Sequence, residues 1–143
     1  MGSVRLGASH PTNEAAMLKS EAKRRASAVA DLDPLYTHFA NINWRRNIWW
    51  IDVPLSKVDA DKATCIELLL FDHRRHELHH LRVPSGYLLA HLDGLTVRKK
   101  KAEVIQLELS ANLRCLFENV APVASGVRFG QFLEHTLDTR EGG

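Results

Sequence analysis

The strongest constraint on the fold is residues 66–83, where two apolar runs stand on either side of a short polar segment. If the chain reverses direction within that segment, the runs pair as antiparallel strands, with Ile66 opposite Val83 and mostly aliphatic, aromatic or opposite-charge pairs elsewhere. Such cross-strand pairs stabilise a sheet by about 0.2–1 kcal/mol each. The pattern predicts a β-hairpin that turns either at residues 74–75 or through a longer loop at 73–76, which keeps the same faces.

A helix over the same stretch is the alternative. Residues 66–83 contain no Gly, Pro or Asn, and Leu, Glu, Arg and His outnumber the β-branched residues, which is a helix-compatible composition. On a helix, His76 and His80 would lie one turn apart on one face. The paired apolar runs favour the hairpin, but the composition leaves both structures open.

The letters H-E-L-H-H, which begin at His76, fit the zinc-site pattern H-E-x-x-H. In that pattern two histidines one helical turn apart bind zinc, and the glutamate acts as general base on a zinc-bound water. These residues resemble the motif of the zincin metallopeptidases, and the resemblance implies His76 and His80 as zinc ligands and Glu77 as general base. Against this, residues 72–75 are polar where that family has apolar residues, Pro84 ends any helix soon after His80, and no third ligand follows at a recognisable spacing.

Size and composition place the chain among ordinary globular proteins. It has 143 residues, 45% of them hydrophobic and 25% charged, and no apolar run approaches the ~18 residues that a membrane span requires. Cys65 and Cys115 form no C-x-x-C pair, and the first residues lack the apolar segment of a secretory signal, so we expect a cytoplasmic protein. Residues 1–12 are expected to be a disordered or expression-derived tail, and residues 13–143 a single domain.

Hydrophobic periodicity predicts further elements. Residues 13–31 carry Ala, Glu, Lys and Arg without Gly or Pro, which favours a helix, and residues 48–55 alternate apolar and polar side chains as a strand does. The remaining predictions are a second hairpin around 100–101, short helices at 57–63 and 87–92, a strand at 114–120 and a closing helix at 129–137. The fold class is therefore α+β: an N-terminal helix, an antiparallel or mixed sheet of about five strands built from two β-hairpins, and short helices packed on one face.

Basic residues occur in short groups, although the net charge of the chain is only +2. Arginine and lysine neutralise phosphates, and an exposed tryptophan can stack on an unpaired base at roughly 1–3 kcal/mol. The alternative is that the tryptophans belong to the core and that the lysines keep a sheet edge soluble. The candidate nucleic-acid-binding residues are Arg45, Arg46, Trp50, Arg74, Arg75, Lys99, Lys100 and Lys101.

The sequence thus predicts a small cytoplasmic binding or regulatory module, non-enzymatic and without a cofactor, that acts through a protein or nucleic-acid partner. No membrane association is expected, and the first helix together with exposed aromatic residues makes a homodimer plausible. The alternative is a zinc-dependent hydrolase that uses His76, Glu77 and His80 with zinc as its cofactor.

Overall fold

Residues 16–59, 61–99, 101–123 and 125–140 are described by the computed structural model, and they form an α+β fold with few helical residues. The helices are α1 (Lys19–Ser27) and α2 (Ser85–Ala90). The strands are β1 (Thr37–Asn41), β2 (Ile48–Pro54), β3 (Cys65–Asp72), β4 (Glu77–Pro84), β5 (Thr96–Lys99), β6 (Glu103–Ser110) and β7 (Leu133–Asp138). The α+β class is confirmed, but the expectation of about five strands in one sheet is wrong, because the described residues form seven strands in two sheets.

The hairpin predicted at residues 66–83 is confirmed, and the helix considered for the same stretch is wrong. Strands β3 and β4 pair in the expected register, with Ile66 opposite Val83. The turn is the longer of the two considered, because Asp72 pairs with Glu77 and leaves residues 73–76 as the loop.

Sheet 1 has the strand order β1-β3-β4-β7, and sheet 2 has the order β2-β6-β5. Strand β1 runs parallel to β3, whereas every other neighbouring pair of strands is antiparallel. The second predicted hairpin is confirmed as β5 and β6, in which Lys99 pairs with Glu103. Strand β7 closes sheet 1 on the side of β4, with a register shift between His80 and Leu81.

The main core fills the space between the two sheets. It forms because β2 and β6 alternate apolar and polar residues, so that one face of sheet 2 is apolar and packs on sheet 1. Trp49 is fully buried there, as the alternation predicted, and Trp50 points to the opposite face with half of its surface exposed. Sheet 1 supplies Ile66, Leu68, Leu70, Leu81 and Val83, and sheet 2 supplies Trp49, Ile51, Val53, Ile105, Leu107 and Leu109.

A second core lies on the other face of sheet 1, which helix α1 covers. Ala22 and Ala26 of this helix are fully buried against an apolar patch that includes Leu69 and Leu78. The Asn41 side chain fixes the segment before the helix, since its Oδ1 accepts from the Met17 backbone amide at 2.9 Å and its Nδ2 donates to the Met17 carbonyl at 3.0 Å. Helix α1 therefore packs on the sheet; residues 13–15 of the predicted helix 13–31 lie outside the described residues, and within the described part the predicted helix was too long at both ends.

Four other sequence predictions need correction or adjustment. The helix predicted at 57–63 is only a 3₁₀ turn at Leu55–Lys57, and the one predicted at 87–92 is confirmed with earlier boundaries as α2. The strand predicted at 114–120 is a 3₁₀ turn at Leu113–Cys115 followed by isolated bridges. The closing helix at 129–137 is instead a short 3₁₀ turn followed by β7, because pairing with β4 satisfies the backbone there. The predicted tail at 1–12 lies outside the described residues.

Candidate nucleic-acid interface

Two four-residue turns at one end of the protein share a local plan. Residues 44–47 read W-R-R-N and residues 73–76 read H-R-R-H, with two arginines at the centre of each turn. The last residue of each turn adopts a left-handed conformation, with φ of 57° at Asn47 and 55° at His76. Asn tolerates this conformation better than most residues, which explains why the first turn ends there. We call residues 44–47 and 73–76 the double-arginine turns.

Hydrogen bonds hold the two double-arginine turns side by side. Arg74 Nη2 donates to Asn47 Oδ1 at 2.7 Å, which joins the turns directly. Just behind them, the Phe71 carbonyl accepts from the Ile42 backbone amide at 2.9 Å and from Trp49 Nε1 at 3.0 Å. Two basic groups that are 28 residues apart in sequence therefore meet at one surface, the arginine tip, which consists of Arg45, Arg46, Arg74 and Arg75.

A buried carboxylate orients the second turn. The Asp72 side chain is fully buried, and it accepts from Arg74 Nε at 3.1 Å and from Arg75 Nη1 at 2.6 Å. Its Oδ1 also accepts from the Arg74 backbone amide at 2.9 Å. Burial by itself would raise the pKa of Asp72, but the hydrogen bonds from Arg74 and Arg75 outweigh it and hold the pKa below its ordinary value. Both arginine side chains remain about one-third exposed, so solvent reaches part of each.

The first turn is more open. Arg46 Nη2 forms an ion pair with Glu108 Oε1 at 2.7 Å, yet the Arg46 side chain is 55% exposed. The Arg45 guanidinium lies 5.3 Å from the centre of the Trp44 ring, and in the described part of the chain it has no carboxylate partner. Glu108 sits opposite Trp50 in sheet 2, so this exposed tryptophan adjoins the arginine tip.

The charges of the arginine tip are only partly compensated. Three of its four guanidinium groups contact two carboxylates, those of Asp72 and Glu108, and in the described part of the chain Arg45 contacts none, which leaves a local excess of positive charge. Such an excess, presented by exposed and pre-positioned guanidinium groups, attracts phosphates and other anions.

The predicted lysines do not belong to this surface. Sheet 2 places Ser110 of β6 beside the first turn through its pairing with Ile48, whereas Lys99 pairs with Glu103 at the other end of β6. The two ends are roughly 23 Å apart at ~3.3 Å per residue. Lys101 is exposed at the distant end, and Lys100 lies outside the described residues.

The structure also separates the residues of the zinc motif. His76 is exposed in the turn, whereas Glu77 and His80 belong to β4, where an odd separation directs them to opposite faces. His80 is buried, and its Nε2 lies 2.6 Å from Glu67 Oε1. Across the described ranges, no three His, Cys, Asp or Glu side chains are grouped so that they could hold a metal ion. The helical arrangement on which the zinc alternative depends is therefore not formed.

His79 lies in the main core, as the hairpin interpretation predicted for it. Its Nδ1 lies 2.9 Å from Thr136 Oγ1 of β7, and its ring makes edge contacts with Trp49 and Phe117. Burial lowers the pKa of His79 to about 4; the negative charge of Asp72 opposes this shift, and the positive charge of Arg75 adds to it. His79 is accordingly a neutral core residue at physiological pH.

Sequence reasoning identified the arginines but missed the residues that arrange them. Asp72 faces Glu77 across the strands, which is an unfavourable pairing of like charges, yet its side chain bonds to the two arginines that follow it. Asn47, which accepts from Arg74, was not singled out at all. The signal that was available is the similarity of the letters W-R-R-N and H-R-R-H, each preceded by Asn or Asp.

Comparisons with known proteins found that no family model, curated protein or solved structure matches this chain. Among the helices that the structure describes, none has the length and apolar character to cross a bilayer. The site must therefore be interpreted from its own chemistry.

Proposed function

We propose that this protein is a non-enzymatic binding module whose arginine tip contacts the phosphate backbone of a single-stranded nucleic acid. The observation that carries the proposal is the hydrogen bond of 2.7 Å between Arg74 and Asn47, which brings two double-arginine turns together on one surface. Arginine suits this role because its planar guanidinium remains charged and can donate two parallel hydrogen bonds to a phosphate.

The aromatic neighbours favour a single strand over a duplex. Trp44 is 37% exposed and lies beside Arg45. Trp50 is 50% exposed and stands opposite Glu108, the ion-pair partner of Arg46. Unpaired bases present their faces for stacking on aromatic rings, whereas the bases of a duplex are already stacked on each other. A positively charged surface with exposed tryptophans is typical of proteins that hold single strands with little sequence preference.

The test compares the binding of a fluorescently labelled oligothymidylate to the wild type and to the R45Q/R46Q variant. This double variant is chosen because neither arginine contacts the buried Asp72, so the second turn keeps its internal bonds. Loss of two charge-assisted contacts is expected to weaken binding by about tenfold or more at moderate salt.

The matched control is K99Q/K101Q, which removes the same number of charges at the opposite end of sheet 2. This variant should bind nearly as tightly as the wild type. If the wild type does not bind the oligonucleotide at low salt, or if the two double variants lose the same affinity, the arginine tip is not the binding surface.

A further inference from the structure

We propose that the cleft between Arg114 and Arg128 is a subsite for one phosphorylated nucleotide, on the path of a strand that leaves the arginine tip. This inference rests on the proposed function, because it places one nucleotide of the bound strand beside the arginine tip. The cleft has a volume of about 340 Å³. Its lining consists of Arg114, Cys115, Leu116, Glu118, Arg128, Gly130 and Gln131.

Backbone hydrogen bonds connect the cleft to the arginine tip. The Ala111 amide donates to the Asn47 carbonyl at 2.8 Å, directly behind the first double-arginine turn. Three residues later the chain reaches Arg114, in the 3₁₀ turn Leu113–Cys115, and Asn112 Oδ1 caps this turn by accepting from the Arg114 amide at 2.9 Å. The cleft and the tip are thus neighbouring parts of the same end of the molecule.

The cleft is polar, and it carries more positive than negative charge. Arg128 Nε lies 3.1 Å from Glu118 Oε2, and the Arg128 side chain is 74% exposed. Arg114 is exposed, and nowhere in the described ranges does its guanidinium form an ion pair. One arginine is therefore available for a phosphate without breaking an existing ion pair, and Arg128 also lines the cleft.

The size and the remaining lining fit a nucleotide. A volume of about 340 Å³ is at the lower end of ordinary small-ligand sites, which span roughly 300–1,000 Å³, so the cleft accommodates one nucleotide unit at most. The amide of Gln131 offers both a donor and an acceptor to a base edge. A cleft that held only free phosphate would need neither this volume nor this neutral polar group.

The walls of the cleft are fixed by the main core. Phe117, between Leu116 and Glu118, has a φ of 66° and is 2% exposed, with its ring stacked on Trp49 at a centroid distance of 5.6 Å. Its amide donates to the Ser110 carbonyl at 2.8 Å, and its carbonyl accepts from the Phe129 amide at 3.1 Å. A left-handed conformation is costly for a bulky residue and persists only where the surroundings enforce it. The cleft is therefore preformed, which lowers the entropic cost of binding.

The test is a titration with thymidine 5′-monophosphate, followed by backbone amide NMR shifts in three proteins. The wild type should show saturable shifts at Cys115, Leu116, Gly130 and Gln131, and R45Q/R46Q should show the same shifts with little change in affinity. In R114Q/R128Q the affinity should fall at least tenfold, while dispersed amide resonances show that the fold is retained. Inorganic phosphate, titrated separately, should bind more weakly than the nucleotide at the same amides.

The outcomes separate this inference from the proposed function. If the nucleotide shifts only residues of the double-arginine turns, or shifts none, the subsite does not exist, even if the oligonucleotide still requires Arg45 and Arg46. If phosphate and nucleotide bind with equal affinity, the cleft is an anion site without a nucleoside contact, and the inference is overturned. If the cleft binds the nucleotide but oligonucleotide binding ignores Arg45 and Arg46, the proposed function fails while the nucleotide site remains.

Discussion

At the scale of single residues, two buried polar side chains show how burial and pairing set charge in this protein. Asp72 is fully buried but keeps its negative charge, because it is bonded to Arg74 and Arg75. His79 is buried with a hydroxyl partner instead of a carboxylate hydrogen bond, and it is therefore neutral. Removal of Asp72 would release both arginines of the second turn, so the arrangement of the arginine tip depends on a buried carboxylate.

The pKa of His79 predicts a loss of stability in mild acid. Its pKa is about 4 in the folded protein and 6.5 ordinarily, so between these values the unfolded chain binds a proton that the folded protein does not. The free energy of unfolding should fall as the pH drops from about 6.5 towards about 4, by about 1.4 kcal/mol per pH unit for this residue. His38, whose pKa is lowered to about 4 by burial and by nearby lysines, adds to the same trend.

Urea unfolding at several pH values checks this prediction. His79→Gln, which keeps a hydrogen-bonding group near Thr136 but does not titrate, should show a shallower decline of stability with falling pH than the wild type. His73→Gln is the control, since His73 lies in the turn outside the core, and this variant should follow the wild-type curve. An unchanged pH dependence in His79→Gln would contradict the assignment of a neutral core histidine.

At the scale of elements, local sequence patterns predicted the two hairpins, but they did not predict which distant segments pair in the sheets. Residues 66–83 contain both partners of a hairpin, so the apolar pattern alone gives the register. Strand β1 pairs in parallel with β3, beyond the intervening β2, and nothing within its five residues specifies that partner. The residues of β7 were predicted to be helical, because a short apolar pattern fits a helix and a strand equally well. Hydrogen bonding to the edge of β4 makes this segment a strand.

For the candidate site, too, the sequence predicted the local features but not the contacts between distant segments. The sequence identified each arginine pair, because short groups of basic residues are visible in the sequence itself. It did not bring residues 44–47 and 73–76 together, since their contact depends on β1, β2 and β3 being correctly placed. The cleft lined by Arg114 and Arg128 depends further on a 3₁₀ turn and on bridges where a plain strand was expected.

The left-handed end of the second double-arginine turn gives a prediction about stability. His76 has a φ of 55°, which an L-residue other than Gly or Asn adopts at a cost of roughly 1–2 kcal/mol. His76→Gly removes this cost, but glycine also increases the conformational entropy of the unfolded chain, which offsets part of the gain. The free energy of unfolding should therefore rise by up to about 1 kcal/mol. The measurement is urea unfolding monitored by tryptophan fluorescence.

His73→Gly is the matched control for this prediction. His73 begins the same turn but has no positive φ, so glycine there should lower the stability through the unfolded-state entropy alone. If both substitutions destabilise the protein equally, the turn does not end in a left-handed residue, and the geometry of the arginine tip would need revision.

At the scale of the whole molecule, charge is distributed unevenly despite a net charge of only +2. Basic groups lie at both ends of sheet 2, but the end that carries Arg45, Arg46, Arg74 and Arg75 also has exposed tryptophans and the adjoining cleft. The fold thus brings exposed arginines and tryptophans together at one end, where two sheets and a buried carboxylate hold the side chains in place. A modest net charge is compatible with phosphate binding when the charges are local in this way.

The salt dependence of oligonucleotide affinity tests the central claim most directly. For a single strand, the logarithm of the association constant falls with the logarithm of salt concentration by about 0.7 per phosphate neutralised. Four arginines, three of which already form ion pairs with Asp72 or Glu108, would neutralise three or four phosphates and predict a wild-type slope of about −2 to −3. Removal of Arg45 and Arg46 should reduce the magnitude of the slope by about 1.4, while K99Q/K101Q should leave it unchanged. A slope near zero, or the same slope in the wild type and in R45Q/R46Q, would contradict the claim that the arginine tip binds phosphates.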